Sequence, residues 1–313
     1  MRGEKTRILV IAGPTASGKS ALAMKLAESL EGEIISCDSM QVYRGMDIGS
    51  AKPTAEEQAR IPHHLIDVAD PMEEFSAAKY ARMAREAIGD IAGRGKLPVV
   101  CGGTGLYLNG ILYEMDFGDG PKDSRLRGAL ERRAEEEGGE ALHRELAQRD
   151  PDAAARIHPN NVKKIIRALE RLELGEERVQ EFQDIRKENP DIDPVLIGLT
   201  MDRSVLYGRI DRRVDEMMER GLLEEVRRLT ASGLTAEDIS MQGIGYKELI
   251  AFLSGETALD EAVDQIKKNT RHYAKRQLTW FRRYPDMTWF DLTGVESTEE
   301  AAEDVLRWLK EGK

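Results

Sequence analysis

The sequence predicts an α/β protein: a parallel sheet flanked by helices, with a P-loop at its centre and a helical insertion in its middle. Three observations predict it. Gly13-Pro-Thr-Ala-Ser-Gly-Lys-Ser20 is a full G-x-x-x-x-G-K-S match between the apolar run Ile8–Ala12 and the helix-like segment Ala21–Leu30, which is the strand–loop–helix context the motif needs. Short apolar runs then alternate with helix-length segments, the pattern of buried parallel strands joined by crossover helices. Between residues 115 and 190 that alternation stops and the chain reads as charged helix.

The elements follow in order. Ile8–Ala12 reads as a strand, Lys19–Leu30 as a helix, Glu33–Cys37 as a second strand and Leu65–Val68 as a third. Ser76–Gly93 reads as a helix with Ser76 as its N-cap, and Leu97–Cys101 as a further buried strand. The character changes near Asp116, and from Pro121 to about Asn189 no convincing strand occurs. Pro194–Thr200 resumes the sheet, followed by helices at Ser204–Arg220, Leu222–Ser232, Tyr246–Leu253 and Leu259–Phe281, a strand at Met287–Leu292 and a helix at Thr298–Lys310. The expected division is a core of residues 1–114 and 191–313 and an insertion of residues 115–190. In such a sheet the ligand site lies at the carboxyl ends of the strands.

Composition narrows the class. The chain has 313 residues, 41% hydrophobic and 33% charged, as in a well-packed, helix-rich protein. No apolar run approaches the ~20 residues of a membrane span, and the first residues lack the apolar core of a signal peptide. Cys37 and Cys101 form no C-x-x-C pair and read as small buried residues, so a cytoplasmic compartment without structural zinc or disulfides is expected. The net charge of −11 argues against nucleic acid as a partner. The stretch Lys267–Arg283 argues the other way: it is strongly basic, contains no acid, and carries Tyr273, Trp280 and Phe281. It fits a surface for single-stranded nucleic acid equally with an amphipathic helix whose aromatic residues face the core.

The motifs carry the chemistry. The loop Gly13, Pro14, Thr15, Ala16, Ser17, Gly18, Lys19 and Ser20 turns amides inward as an anion nest at a helix N-terminus. Lys19 supplies a point charge for a terminal phosphate and Ser20 a hydroxyl for Mg²⁺. Asp38 follows the second strand beside this loop, where a carboxylate repels phosphate unless it binds Mg²⁺ or takes a proton from a nucleophile. Ser39 and Gln41 suit a polar planar group such as a base edge. Leu97–Cys101 stands where a nucleotide kinase carries its metal-binding Asp, yet it runs into Gly102-Gly-Thr-Gly105. That turn suits close approach to an anion with Thr104 as its hydroxyl, or a bare helix start. Arg209, Arg213 and Glu216 share one face of a helix, with Arg212 about 100° away, and one of these arginines can clamp a pyrophosphate. Gln242-Gly-Ile-Gly-Tyr-Lys247 is a short glycine-rich break that suits contact with a backbone and is weak as a motif alone.

Taken in order, GPTASGKS, CDSMQVYRGMDIGSAKP, HHLIDVADP, VVCGGTGLY, RRVDEMMERGLLEEV, QGIGYKE and YAKRQLTWFRR resemble the bacterial tRNA dimethylallyltransferase family, also called tRNA isopentenyltransferases. The likeness spans nearly the whole chain, and its most specific parts are the blocks around Asp38 and Thr104. It implies transfer of a dimethylallyl group from dimethylallyl diphosphate to N6 of the adenosine 3′ of the anticodon, in tRNAs that read codons beginning with U. The P-loop would then hold a prenyl diphosphate and not ATP. Asp38 resembles the general base for the N6 amine, Thr104 the group that stabilises the bridging oxygen, and Lys19 and Arg213 the cations on the departing diphosphate. Ser20 would help to bind Mg²⁺. Ser39, Met40 and Gln41, with Asp38 and Thr104, would line a base flipped out of its stack. Arg127, Lys163, Lys164 and Arg167 of the insertion would contact tRNA, and Arg271, Lys275, Arg276 and Arg282 would bind the anticodon stem-loop. Where other members often carry Arg, this chain has Lys163 and Lys164, which keep the charge and lose the bidentate fork. It has no C-terminal Cys/His extension of the zinc-finger type, so a bacterial-type form is expected; a monomer without a membrane partner is also expected.

Three other readings share parts of this pattern. A prenyltransferase acting on free adenine nucleotides would share the P-loop and Asp38 but needs neither the insertion nor the basic helix. A P-loop kinase requires ATP turnover. An ATP-driven RNA remodeller requires a metal-binding Asp on a later strand.

Overall fold

The computed structural model describes residues 5–115, 124–175, 187–295 and 297–312. Its elements in chain order are β1 (Thr6–Ala12), α1 (Lys19–Ser29), β2 (Gly32–Cys37), α2 (Ala55–Arg60), β3 (His63–His64), α3 (Ala77–Gly93), β4 (Leu97–Gly102) and α4 (Gly105–Leu112). Then come α5 (Ser124–Glu137), α6 (Gly139–Arg149), α7 (Pro151–Arg156) and α8 (Val162–Glu173). The chain continues with β5 (Ile192–Thr200), α9 (Arg203–Glu219), α10 (Leu222–Ala231), α11 (Tyr246–Leu253), α12 (Leu259–Phe281), β6 (Thr288–Asp291) and α13 (Thr298–Lys310). It divides into two compact units, Met1–Leu112 with Asn189–Lys313, and Tyr113–Glu188.

The first unit is a six-stranded sheet in the order β3-β2-β4-β1-β5-β6, with every pair parallel. The α/β class with a parallel sheet and flanking helices is therefore as the sequence predicts. β1 lies inside the sheet, with Leu9 opposite Val99 of β4 on one side and Val195 of β5 on the other. Leu9, Ile11, Leu22, Leu26, Ile197, Ile210 and Val305 join one core over this sheet. Each such side chain contributes about 1.5–3 kcal/mol on burial. Because the strands run one way, the segments after β1, β2 and β4 emerge along the same edge of the sheet.

The third strand is not where the apolar pattern puts it. β3 is His63–His64, paired with Ile34 and Ile35, and Leu65–Val68 turns away. Leu65 (φ 63°) and Asp67 (φ 56°) are left-handed, which no strand accommodates. Ion pairs explain the shift. His64 meets the buried Glu33, which also pairs with Arg94. The almost wholly buried Lys52 ammonium meets Asp67 and Asp47 at 2.6 Å each and donates to the Tyr43 carbonyl at 2.9 Å. The other ends match well. Ser76 caps α3, its Oγ accepting from Lys79 N at 3.1 Å, and α12 begins at Leu259 and ends at Phe281.

The second unit has its own core of Leu130, Leu142, Leu146, Ile165 and Leu169. α6 hands over to α7 through Asp150, whose Oδ1 accepts from Ala153 N at 2.9 Å, with Pro151 in the first turn. α8 turns Ile165, Ile166 and Leu169 inward and Lys163 and Lys164 outward. The expected change of character at Asp116 and the start at Pro121 lie outside the described residues.

Candidate active site

The glycine loop leaves β1 at Gly13. A Cβ there would lie 3.1 Å from Leu199 O and 3.2 Å from Ser17 Oγ, so the loop begins where no other side chain fits easily. Ala16 (φ 63°) and Gly18 (φ 91°) are left-handed, which turns successive amides to one side. α1 begins at Lys19 and adds its N-terminal dipole. Lys19 Nζ donates to Pro14 O at 3.3 Å. Burial lowers its pKa, with Arg213 acting in the same sense and Cys101 and Asp38 opposing. A tight cavity of about 70 Å³ adjoins the loop, lined among others by Thr15, Lys19, Ser20, Asp38 and Arg213.

The segment after β2 and the turn after β4 are locked together. A Cβ on Gly102 would fall 2.1 Å from Cys37 O, so glycine is what lets these ends touch. Thr104 N donates to Cys37 O at 3.1 Å, and Thr104 Oγ1 accepts from Ser39 N at 3.0 Å. Asp38 Oδ1 accepts from Met40 N at 2.8 Å. This Asx turn fixes the carboxylate beside the glycine loop. The Tyr273 phenol of α12 lines the tight cavity, and burial pushes that phenol up.

Beyond Asp38 the site widens into a second cavity of about 420 Å³. Its walls include Met40, Tyr43, Phe75, Tyr107, Val214, Met217 and Ile244. Asp38, Arg213 and Tyr273 line both cavities. A carboxylate, a guanidinium and a phenol thus stand where a phosphate-sized space opens into an apolar one. One wall is anchored by the buried Glu225 of α10. Its carboxylate accepts from Asp47 N at 2.9 Å, Ile48 N at 2.8 Å, Gly49 N at 3.1 Å and the Tyr246 hydroxyl at 2.8 Å.

The sequence-derived residues divide by location. Gly13, Pro14, Thr15, Ala16, Ser17, Gly18, Lys19, Ser20, Asp38, Ser39, Met40, Thr104 and Arg213 all belong to this region. Gln41 lines the tight cavity and not the wide one. Its amide is engaged, accepting from Ser36 Oγ at 2.8 Å and donating to Ser50 O and Ala51 O at 3.3 and 3.2 Å. It braces the loop and offers no free edge to a base. Arg127 and Arg167 both meet the wholly buried Glu170 at 2.8 Å, because a carboxylate out of water requires partners. Arg271 pairs with Asp211 and Lys267 with Asp215, tying α12 to α9. Lys275, Arg276 and Arg282 are exposed, and Arg276 sits over the Tyr273 ring at 5.7 Å. Of the aromatic residues of α12, Phe281 is buried, while Tyr273 and Trp280 are half-buried, and a Cβ on Gly105 would fall 2.1 Å from Trp280. Arg209 and Arg212 join Arg213 and Arg220 along a groove of about 620 Å³ on the outer side of the loop.

Sequence reasoning missed Glu225, Tyr273 as a site residue, and Gln277. The available signal was a polar or acidic residue on the buried face of an amphipathic helix. It read the glycine-rich break only as a weak candidate for contact with a backbone. Gln242, Gly243, Ile244 and Gly245 line the wide cavity, and a Cβ on Gly243 would lie 2.6 Å from the terminal methyl of Met40.

The model of one family, described as IPP transferase, matches residues 41–284. The chain belongs to the IPP transferase family. Its similarity to curated members extends over the P-loop as well. It is 50% identical to a tRNA dimethylallyltransferase of Alkaliphilus oremlandii over 306 residues, covering 98% of each chain. It is 50% identical to the enzyme of the same name from Bacillus subtilis over 293 residues, 94% of this chain and 93% of the relative. Among solved structures it resembles the full-length tRNA isopentenylpyrophosphate transferase of Bacillus halodurans, with a TM-score of 0.72, 46% identity and 98% of both chains covered. It also resembles a eukaryotic dimethylallyltransferase captured acting on tRNA, with a TM-score of 0.83, 31% identity, and 97% of this chain and 78% of that one covered. No described helix of this family member is long and apolar enough to cross a membrane.

Proposed function

We propose that this IPP transferase moves the dimethylallyl group of dimethylallyl diphosphate to N6 of the adenosine 3′ of the anticodon, in tRNAs that read codons beginning with U, and releases diphosphate. The observation that carries the reading is the junction at Asp38 and Arg213, where an anion-binding cavity opens into a larger apolar one. A prenyl diphosphate has that polarity. Its anion fits the glycine loop and Lys19, and its hydrocarbon points toward the apolar space, where a flipped base enters.

The roles follow from position. Asp38, fixed by its Asx turn, accepts the hydrogen of the N6 amine as the N–C bond forms. The bond from the allylic carbon to the bridging oxygen breaks, and the electron pair leaves with diphosphate. Lys19, the loop amides and Arg213 hold that charge in a pocket out of bulk water, and the Thr104 hydroxyl serves the bridging oxygen. Among the described residues no group of three or more His, Cys, Asp or Glu side chains is placed to hold a metal. Mg²⁺ fits the Ser20 hydroxyl together with diphosphate oxygens and water, its usual donor set. Bound there, it would neutralise diphosphate charge. The tRNA contacts are the exposed basic residues: Lys275, Arg276 and Arg282 on α12, and Lys163 and Lys164 on α8. Arg127 and Arg167 support the latter through Glu170.

The test is mass spectrometry after incubation with Mg²⁺, dimethylallyl diphosphate and an anticodon stem-loop carrying adenosines across the target position, with free AMP and ATP in parallel. The expected result is a gain of one dimethylallyl group on the stem-loop. A gain on AMP alone would make the chain a free-nucleotide enzyme, and phosphate release from ATP without prenyl transfer would make it a kinase or ATPase.

A further inference from the structure

Gln277 lies on the inward face of α12, one turn beyond Tyr273, and is 5% exposed. Its Oε1 accepts from Thr15 N at 2.9 Å, and its Nε2 donates to Gly103 O at 3.0 Å. One side-chain amide therefore spans the two glycine-rich segments of the site. Thr15 presents its N–H and Gly103 its carbonyl, and these set the orientation of the amide. A side chain that accepts at one end and donates at the other is required, and Asn and Gln are the residues that do so with an amide. The fit leaves no slack, since a Cβ on Gly103 would lie 2.0 Å from Gln277 Nε2. Thr15 directly precedes left-handed Ala16, a conformation that costs free energy for a residue with a Cβ. Gln277 holds the amide at the start of that turn. Tyr273 on the same helix lines both cavities of the site, while Lys275, Arg276 and Arg282 of this helix are exposed.

We propose that Gln277 is a positioning residue for prenyl transfer. It sets the distance between the loop that binds the diphosphate and the turn that presents Thr104, and so aligns the breaking bond from carbon to the bridging oxygen through α12. This inference rests on the proposed prenyl transfer. Gln277 itself bonds backbone and not the reacting atoms. Its substitution acts through the spacing of Thr15 and Gly103, where a misplacement of about 1 Å costs on the order of a hundredfold in rate.

The experiment compares the native protein with Gln277→Leu and Gln277→Glu. It measures kcat, the KM for each substrate, inorganic pyrophosphate affinity, and kcat from mildly acidic to mildly alkaline pH. Gln277→Leu is expected to lower kcat about a hundredfold and weaken pyrophosphate binding, with the KM for the stem-loop unchanged. Gln277→Glu separates positioning from bulk. Ionised, the carboxylate still accepts from Thr15 N but faces the Gly103 carbonyl with no proton. Protonated, it donates there as the amide does. The ratio of Gln277→Glu to native kcat should therefore rise as pH falls. Lys19 on α1, Asp38 after β2, His63 on β3, Cys101 on β4, Arg213 on α9 and Tyr273 on α12 line the same cavity, but they are present in both proteins and cancel in the ratio. A flat ratio, or a Gln277→Leu kcat within about twofold of native, overturns the proposal. If Gln277→Leu does not fold, the isosteric Gln277→Glu carries the test alone. If the native protein transfers no prenyl group, the proposed function fails, and undiminished pyrophosphate affinity in the variants would count separately against the clamp.

Discussion

The two ends of the site are built differently. The phosphate end is mostly one contiguous loop, Gly13–Ser20, held by backbone conformation and the start of α1. The apolar end is assembled from side chains scattered from Met40 to Arg276, and one wall is fastened by the single carboxylate of Glu225. The first kind of site draws its donors from amides of one turn, and Gln277 of α12 braces that turn at Thr15 N. The second depends on distant contacts, so it is open to disruption far from the chemistry.

Substitutions that separate these ends sharpen the contrast. The largest effect belongs to Asp38, which stands at their junction. Asp38→Ala should cut prenyl transfer by roughly 10²–10⁴-fold while pyrophosphate affinity, measured by calorimetry, is retained. An equal loss of both would mean that Asp38 shapes the phosphate end. Lys19→Ala should do the reverse, weakening pyrophosphate by about 10²-fold or more and leaving stem-loop binding within about twofold of native. A parallel drop in both affinities would show the ends to be one unit. Glu225→Ala leaves the buried Tyr246 hydroxyl and the Asp47, Ile48 and Gly49 amides without an acceptor and should cost about 2–3 kcal/mol in denaturant unfolding. It should also raise the stem-loop KM more than the KM for the diphosphate, and the opposite order would refute the wall assignment.

Smaller effects test the periphery. Arg94 first, then His64, hold the Glu33 carboxyl down at about 2 against burial. A depressed folded pKa gives stability that is complete above the unfolded value near 4.5 and is lost as pH falls toward 2. With Arg94 largely in water, that loss should be about 2 kcal/mol at most, and Glu33→Gln should flatten this part of the pH–stability curve. Smallest is the contrast between Lys163 on α8 and Arg127 on α5. Lys163→Ala should leave the thermal midpoint unchanged and reduce the salt slope of stem-loop binding by about one. Arg127→Ala should lower stability by about 1 kcal/mol, because Glu170 keeps Arg167. Identical behaviour of the two variants would erase the distinction between outward and inward cations.

The legibility of the molecule follows the same line. α12 and α13 stand at their expected residues, because an amphipathic helix is written in its own 3.6-residue period. Leu65–Val68 misled because apolar character there reflects burial in a turn held by Lys52, an ion-pair partner that no periodicity reveals. On α12 spacing left two orientations open, and packing chose the one in which Phe281 is core and Lys275 meets water.

The sequence by itself determined the sheet strands other than β3 and the longer helices of the core, the P-loop and its place after β1, the positions of Asp38 and Thr104 at strand ends, and the family. These are local patterns, set by chain stereochemistry and hydrophobic period within about twenty residues. The tertiary structure alone decided which cations face water and which face Glu170 or Asp211, that Glu225 holds a cavity wall, and that Gln277 spans two loops. Each of those depends on a partner far away in the chain, and a hydrogen bond or ion pair is set by the distance between atoms in space.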